Sequence, residues 1–338
     1  MRVIASIVAS VIAVAAAMPA AAQQKTSVKF LLDWKYQAIH SWFFIAQQKG
    51  YFAREGLDVT IDQGAGGAGT TAAIVAGSYP IGIGDVNVLI TTAATRQDTP
   101  KVVYMLYNAP PFALIAKADG PIKTLKDLEG HTLAAAAGGS AIKLFPILAR
   151  MNGVDPAKVK NLTVSPQLQE QVVVNGTADA SAVFNQTSYI NLLGMKLDPD
   201  TYLRWWNYSD YGINLYSNAI MVTPQFAKDN PKAVAGFLRA TNTALKDVIK
   251  NPDEGIKALT ATEPLSNAAL ERRRLDYTFD KLMLTKETQE IGLGDIKDDR
   301  MAAGIAQLAE AFELPRKPAV NEIFDRSFLP PKSDRMYK

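Results

Sequence analysis

From Val28 to Val222 short apolar runs alternate with stretches of helical periodicity, and beyond Val222 only the helical pattern continues. A chain that repeats strand then helix lays its strands mostly parallel and covers the sheet faces with its helices. Strands are expected at Val28–Leu32, Asp58–Gln63, Pro80–Gly84, Lys101–Leu106, Phe112–Ala116, Thr132–Ala136, Leu162–Val164, Ala178–Val183 and Leu215–Val222. Helices are expected at Ser41–Lys49, Thr70–Ala76, Asn87–Thr95, Ala141–Asn152, Gln167–Asn175 and Gln186–Leu193. Gly50, Gly77, Gly153 and Gly176 stand just past helices, where a left-handed cap is wanted. The later block, Pro224–Lys228, Pro231–Lys250, Asp253–Thr262, Asn267–Leu284 and Arg300–Phe312, cannot build a sheet and must pack around one. The tail Pro315–Lys338, rich in proline and charge, reads as a peripheral extension.

The simplest path for such a chain starts in one lobe, crosses near Asn108–Phe112, builds a second lobe, and returns along Leu215–Val222. That assigns 23–110 and 215–338 to a discontinuous first lobe and 111–214 to the second. The expected fold class is therefore α/β, two lobes with mostly parallel sheets, a two-strand hinge, and a C-terminal helical block on the first lobe. The cleft between the lobes becomes the site.

Residues 1–22 carry one charge, Arg2, then an apolar run from Val3 to Ala17, a break at Met18-Pro19 and the small residues Ala20-Ala21-Ala22. This is the plan of a secretory signal peptide, with cleavage expected after Ala22. The alternative is an uncleaved N-terminal anchor, since the run approaches the length of a membrane span. The 36 basic and 33 acidic residues leave a net +3, which is +2 once Arg2 is gone, too small and too evenly mixed for a nucleic-acid partner. The chain has no cysteine, which excludes disulfides, thiolate nucleophiles and Cys-based metal sites. His40 and His131 stand too far apart in sequence to argue a zinc site.

The residues with chemical potential gather at strand ends, where open α/β sheets bind ligands. Asp33-Trp34 closes the first strand: Asp33 can accept from ligand N–H groups and Trp34 and Tyr36 can stack on a planar ring, unless Asp33 is a cap and Trp34 is core. His40, in the same loop, is either a ligand contact or a hydrogen-bonded structural residue. Gly64–Thr71, GAGGAGTT, opens a helix and offers free amides to an anion at Gly67 and Thr70, or is a flexible turn. Asp85 is a helix cap, a cleft acid, or both. In the second lobe Gly139 and Ser140 repeat the amide cluster, Phe184 and Asn185 end a strand, and Tyr211, with Tyr208 and Asp210, precedes the return crossing. These aromatics either contact ligand or pack between the lobes. No arginine clamp for a strong anion is evident. Acids with aromatics suit a planar, nitrogen-rich ligand better than sulfate or nitrate.

Four phrases, in order, carry a family resemblance: the opening Leu31–Ile61 with its G-Y-F-x-x-E-G-L-D-V, Ala76–Asp85 (AGSYPIGIGD), Ile122–Leu133 (IKTLKDLEGHTL) and Ser217–Pro231 (SNAIMVTPQFAKDNP). Together they resemble the NMT1/THI5-like and nitrate/sulfonate/taurine-type periplasmic solute-binding proteins. The resemblance implies a type II periplasmic-binding fold, no cofactor, no catalysis and a monomer that delivers a small molecule to an inner-membrane ABC permease and its ATPase. It places the site on Asp33, Trp34, His40, Gly67–Thr70, Asp85, Asn108, Gly139, Ser140, Phe184 and Asn185. The family's ligands include thiamine pyrimidine precursors, flavin, alkanesulfonates, taurine, nitrate and aromatic acids. One eukaryotic branch makes the thiamine pyrimidine from its own histidine and pyridoxal phosphate; its cysteine-rich motif has no counterpart here. A sensor that presents ligand to a membrane receptor is a further reading.

Overall fold

The computed structural model describes residues 25–337, so the expected leader 1–22 and its cleavage after Ala22 lie outside the described residues. Ten strands form two five-stranded sheets: β1 (Thr26–Leu31), β2 (Leu57–Asp62), β3 (Ile81–Asp85), β4 (Lys101–Met105), β5 (Phe112–Lys117), β6 (Thr132–Ala136), β7 (Lys160–Val164), β8 (Ala180–Phe184), β9 (Leu203–Asn207) and β10 (Asn218–Val222). The orders are β2-β1-β3-β10-β4 and β7-β6-β8-β5-β9. In each sheet only the fourth strand runs against the others, β10 in one and β5 in the other. Each of these reversed strands is the first the chain enters after crossing from the opposite sheet. The mostly parallel arrangement and its exceptions thus have one origin, the double crossing.

The crossings hold one another. The amides of Leu106 and Tyr107 both donate to the Asn218 carbonyl at 3.0 Å, and the Ser217 amide donates to Tyr107 O at 3.2 Å. The first crossing is further pinned where the Asn108 and Ala109 amides meet Leu282 O at 3.0 and 3.1 Å.

Residues expected to cap helices do so: Gly50, Gly77, Gly153 and Gly176 all have φ between 69° and 76°. β9 is absent from the sequence expectation. It is an edge strand with Leu203 and Trp206 buried and Arg204 exposed, and the Pro199–Tyr202 turn just before it obscures its alternation. The glycine-rich helix spans Gly67–Val75, starting before the expected Thr70.

On the first sheet, helices Ser41–Gln48, Pro231–Lys250 and Pro252–Thr262 pack over an aromatic core in which Phe30 meets Phe43 and Phe237 at centroid distances of 4.7 and 4.9 Å. Helices Ala268–Thr278 and Asp298–Ala311 also reach the second sheet's helices Asn185–Gly194 and Ser140–Met151. The tail is not peripheral. Ile323 and Phe324 are buried, Phe324 bridges Val102, and the buried Arg335 guanidinium donates to Pro330 O, Ile291 O and Leu293 O and to Asp295.

Candidate functional site

β1 ends at Leu31, and the chain then turns across the C-terminal edge of the sheet, so Asp33 and Trp34 project into the space between the lobes. Facing them, β8 ends at Phe184 and the turn after β6 carries Gly139 and Ser140. The cavity so formed, about 420 Å³ including its mouth, is lined by these residues together with Ile39, Gly66, Gly67, Gln169, Gln186 and Thr187 and the stretch Ala182-Val183. Among the described residues lining it, Asp33 is the one ionisable side chain.

Asp33 is 3 % exposed and braced on both oxygens. The Gln37 amide donates to His40 Nδ1 at 3.3 Å, which places the ring proton on Nε2, and Nε2 donates to Asp33 Oδ1 at 2.9 Å. Asn218 Nδ2 donates to Asp33 Oδ2 at 2.7 Å. A carboxylate has about four acceptor directions, so two neutral donors orient it and leave acceptor capacity toward the cavity. Burial pushes the nearby Tyr107 phenol well above its usual range, and the Asp33 charge adds to the shift, so Tyr107 stays a neutral hydroxyl. It is near the Gln186 amide, but no hydrogen bond of ordinary geometry joins them.

Among the described residues, buried polar atoms without partners converge here: Ser140 Oγ and both amide atoms of Gln186 on the lining, and Asn218 Oδ1, which with Ser140 Oγ faces the lining residue Gly67. Native interiors rarely leave such groups unpaired, and a cluster at one cavity is the mark of a place where a ligand or water completes the bonding. Trp34 and Phe184 contribute aromatic walls.

The lobes meet at the glycine loops. The amides of Ala68 and Gly69 donate to Gly138 O of the opposite lobe at 3.1 and 3.3 Å. The start of helix Gly67–Val75, read from sequence as an anion cradle, is therefore occupied by a backbone carbonyl. Gly66 has φ +135°, and a Cβ on it would overlap that same Gly138 carbonyl. Thr70 Oγ1 donates to Leu32 O at 2.9 Å and serves the fold. Helix Ser140–Met151 begins with no side-chain cap, so its first amides remain open toward the cavity.

Of the residues expected from sequence, Asp33, Trp34, Gly67, Gly139, Ser140 and Phe184 come together at the cavity, with His40 directly behind Asp33. Thr70, Asp85, Asn108, Asn185 and Tyr211 are not among its lining residues. Asp85 is a cap, accepting from the Asn87 and Val88 amides at 2.9 and 3.2 Å and from Ser217 Oγ at 3.3 Å. Asn108 donates to Glu287 at 3.2 Å in the crossing, Asn185 donates to Asn207 at 3.3 Å, and Tyr211 packs against the second core. Asp179 sits before β8, bound to the Thr132 amide at 2.8 Å, at the edge away from the cavity. Sequence reasoning missed Gln186, Gln169 and Asn218. Gln186 follows the singled-out Phe184-Asn185 by one helical step; Asn218 is brought to Asp33 only by the pairing of β10 with β3.

Burial raises the Asp85 carboxyl from 3.8 to about 6. The folded state thus binds this proton more tightly than the unfolded chain, and stability falls as pH rises between about 4 and 6, on the order of 3 kcal/mol in all. Asp85→Asn keeps the cap and removes the titration. Urea unfolding from pH 4 to 8 is expected to show a slope flattened by that amount in the variant; an unchanged profile would assign the titration elsewhere.

The comparisons agree with this architecture. Residues 37–255 match the family model described as NMT1/THI5 like. The chain is 24 % identical over 71 % of its length, and 75 % of the relative's, to a 4-amino-5-hydroxymethyl-2-methylpyrimidine phosphate synthase from Legionella pneumophila. It is 25 % identical over 72 % of its length to a formylaminopyrimidine-binding protein from Halalkalibacterium halodurans, covering 73 % of it. Among solved structures, the periplasmic aliphatic sulphonate binding protein SsuA from Escherichia coli superposes with a TM-score of 0.65 at 17 % identity, covering 89 % of this chain and 98 % of that one, a likeness of fold. With the model match spanning well over half its length, the chain belongs to the NMT1/THI5-like family and has the periplasmic-binding-protein fold.

Proposed function

We propose that this chain is the periplasmic solute-binding component of an ABC importer and that it holds an aminopyrimidine, or a closely related planar aromatic solute bearing N–H donors, between its lobes. The observation that carries this reading is Asp33: a buried carboxylate, braced by His40 and Asn218, that is the one ionisable group among the described cavity-lining residues. Such a wall accepts from an exocyclic amino group or a ring N–H and repels a strong anion. Trp34 and Phe184 supply faces for a flat ring, and Gln186 and Ser140 supply further polar partners. Relatives named for binding a formylaminopyrimidine and for making a pyrimidine phosphate support the same ring class.

In this account 25–110 with 215–337 form one lobe and 111–214 the other, the lobes close on the solute, and a monomer exported after cleavage at Ala22 hands it to a permease and its ATPase. Binding without turnover is favoured by His40, which is 1 % exposed and engaged by Gln37 and Asp33, and by a described lining with no lysine for a pyridoxal aldehyde. A second reading, an alkanesulfonate, taurine or nitrate carrier, is favoured by the uncapped start of helix Ser140–Met151.

A thermal-shift panel of an aminopyrimidine, an aromatic acid, a flavin and an alkanesulfonate separates the readings. A ligand at 100 times its dissociation constant adds about 2.7 kcal/mol of stability. The aminopyrimidine is expected to produce that shift. A shift with the sulfonate alone would transfer the function to the second reading.

A further inference from the structure

Helix Ala268–Thr278 lies between the lobes and carries a buried ion pair that touches both. Arg274 is 4 % exposed and Glu271 8 %. Arg274 Nε donates to the Glu271 carboxylate at 3.1 and 3.3 Å. The remaining guanidinium nitrogens turn to the second lobe: Nη1 donates to Thr187 O at 2.9 Å and Gln186 O at 3.3 Å, and Nη2 to Asn191 Oδ1 at 3.1 Å. Glu271 Oε2 accepts from the Ala38 amide at 2.7 Å, in the loop that carries Asp33 and His40.

We infer that Arg274 and Glu271 form an interlobe latch that positions Gln186 against the ligand and couples that wall of the cavity to the Asp33 loop. Neither side chain lines the cavity; Arg274 acts through Gln186 and Thr187, which do, and Glu271 through Ala38, the neighbour of the lining residue Ile39. The guanidinium fork fixes the first turn of helix Asn185–Gly194, whose Gln186 amide is buried without protein partners, so the latch determines where that amide points. A desolvated arginine and glutamate are compensated only when every donor and acceptor is met, and here the acceptors come from both sides of the cleft. Parting the lobes strands the guanidinium from Thr187 and Asn191. The pair therefore favours the closed arrangement whether or not solute is present, and gives closure a defined geometry.

The ligand arm of the test rests on the proposed binding role; the closure arm does not. The chain has no cysteine, so Lys250→Cys and Lys160→Cys, both exposed, accept a dye pair that reports lobe separation by energy transfer. Arg274→Lys retains the charge but not the fork, and Asn191→Ala removes a second-lobe acceptor together with its 3.3 Å bond to Glu170 inside that lobe, which keeps the test open if the first variant folds poorly. In the unliganded protein both variants are expected to lower the closed-to-open ratio, Arg274→Lys by about tenfold. For aminopyrimidine binding, Arg274→Lys is expected to weaken affinity by a similar factor, and a cycle with Gln186→Ala to be non-additive, because a mispositioned Gln186 has little left to lose. An unchanged closed-to-open ratio in Arg274→Lys and Asn191→Ala would overturn the latch, as would strict additivity with Gln186→Ala. Failure of the wild-type chain to bind any aminopyrimidine would overturn the binding role instead, and the energy-transfer ratio would still decide the latch.

Discussion

Replacing Gly66 with alanine is expected to abolish tight solute binding while leaving both sheets folded. The new methyl would overlap Gly138 O across the cleft, and the backbone at φ +135° is one that alanine tolerates poorly. The strain alone is worth about 1–3 kcal/mol. Relief comes from parting the lobes, because Gly66 belongs to none of the hydrophobic clusters and its neighbours across the cleft are backbone atoms that cannot rotate away. Affinity is expected to drop by roughly 100-fold or more, about 3 kcal/mol, read by calorimetry. Gly69→Ala is the control. Its Cβ would meet Gly138 Cα at 3.5 Å, an ordinary contact, inside helix Gly67–Val75, where alanine is the better helix former. If both variants bind like the parent, the contact at Gly138 does not govern closure.

The second large effect is expected at Asp33. Asp33→Asn removes the charge and half the acceptor capacity, yet the fold has a way to absorb the change. Asn218 Oδ1 has no partner, so the Asn218 amide can flip and accept from the newly introduced side-chain NH2, while His40 Nε2 keeps an oxygen. The stability cost should stay near 1 kcal/mol, about the worth of an ordinary hydrogen bond. Binding loses more, because a charged acceptor buried against a ligand donor contributes about 1.5–3 kcal/mol, up to roughly 100-fold in affinity. Parallel unfolding and titration experiments separate the two quantities. Equal losses in both would mean that Asp33 serves the fold and not the solute.

Much of this architecture is legible in the chain because its signals are local. The β1 run ends in Asp33-Trp34 and the β8 run in Phe184, and the rule that parallel strands deliver ligand groups at their C-terminal edges needs nothing beyond strand position. Gly139-Ser140 is readable for the same reason. What stays hidden depends on pairing between distant segments. Asn218 reaches Asp33 only because β10 returns antiparallel beside β3, with Asn218 opposite Asp85. Arg274 lies in a helix whose charged sequence reads as a solvated surface, and it is the burial between two lobes that turns it into a bridge. Thr70 and Asp85 are chemically plausible site residues whose groups local backbone has already taken, as N-terminal and strand-end hydroxyls and carboxylates often are. The tail misleads because proline and charge mark exposure on average, whereas Ile323, Phe324 and Arg335 are anchored one by one.

If a braced Asp33 selects the solute by accepting its N–H groups, a matched pair of ligands will reveal it. Calorimetric titration with a 4-aminopyrimidine and with its 4-methyl counterpart removes one donor at nearly constant shape and leaves the ring nitrogens unchanged. A site built around a buried acceptor is expected to prefer the amino compound by roughly 100-fold or more, with the preference lost in Asp33→Asn. Equal affinities for the pair, or an alkanesulfonate binding more tightly than either, would contradict it.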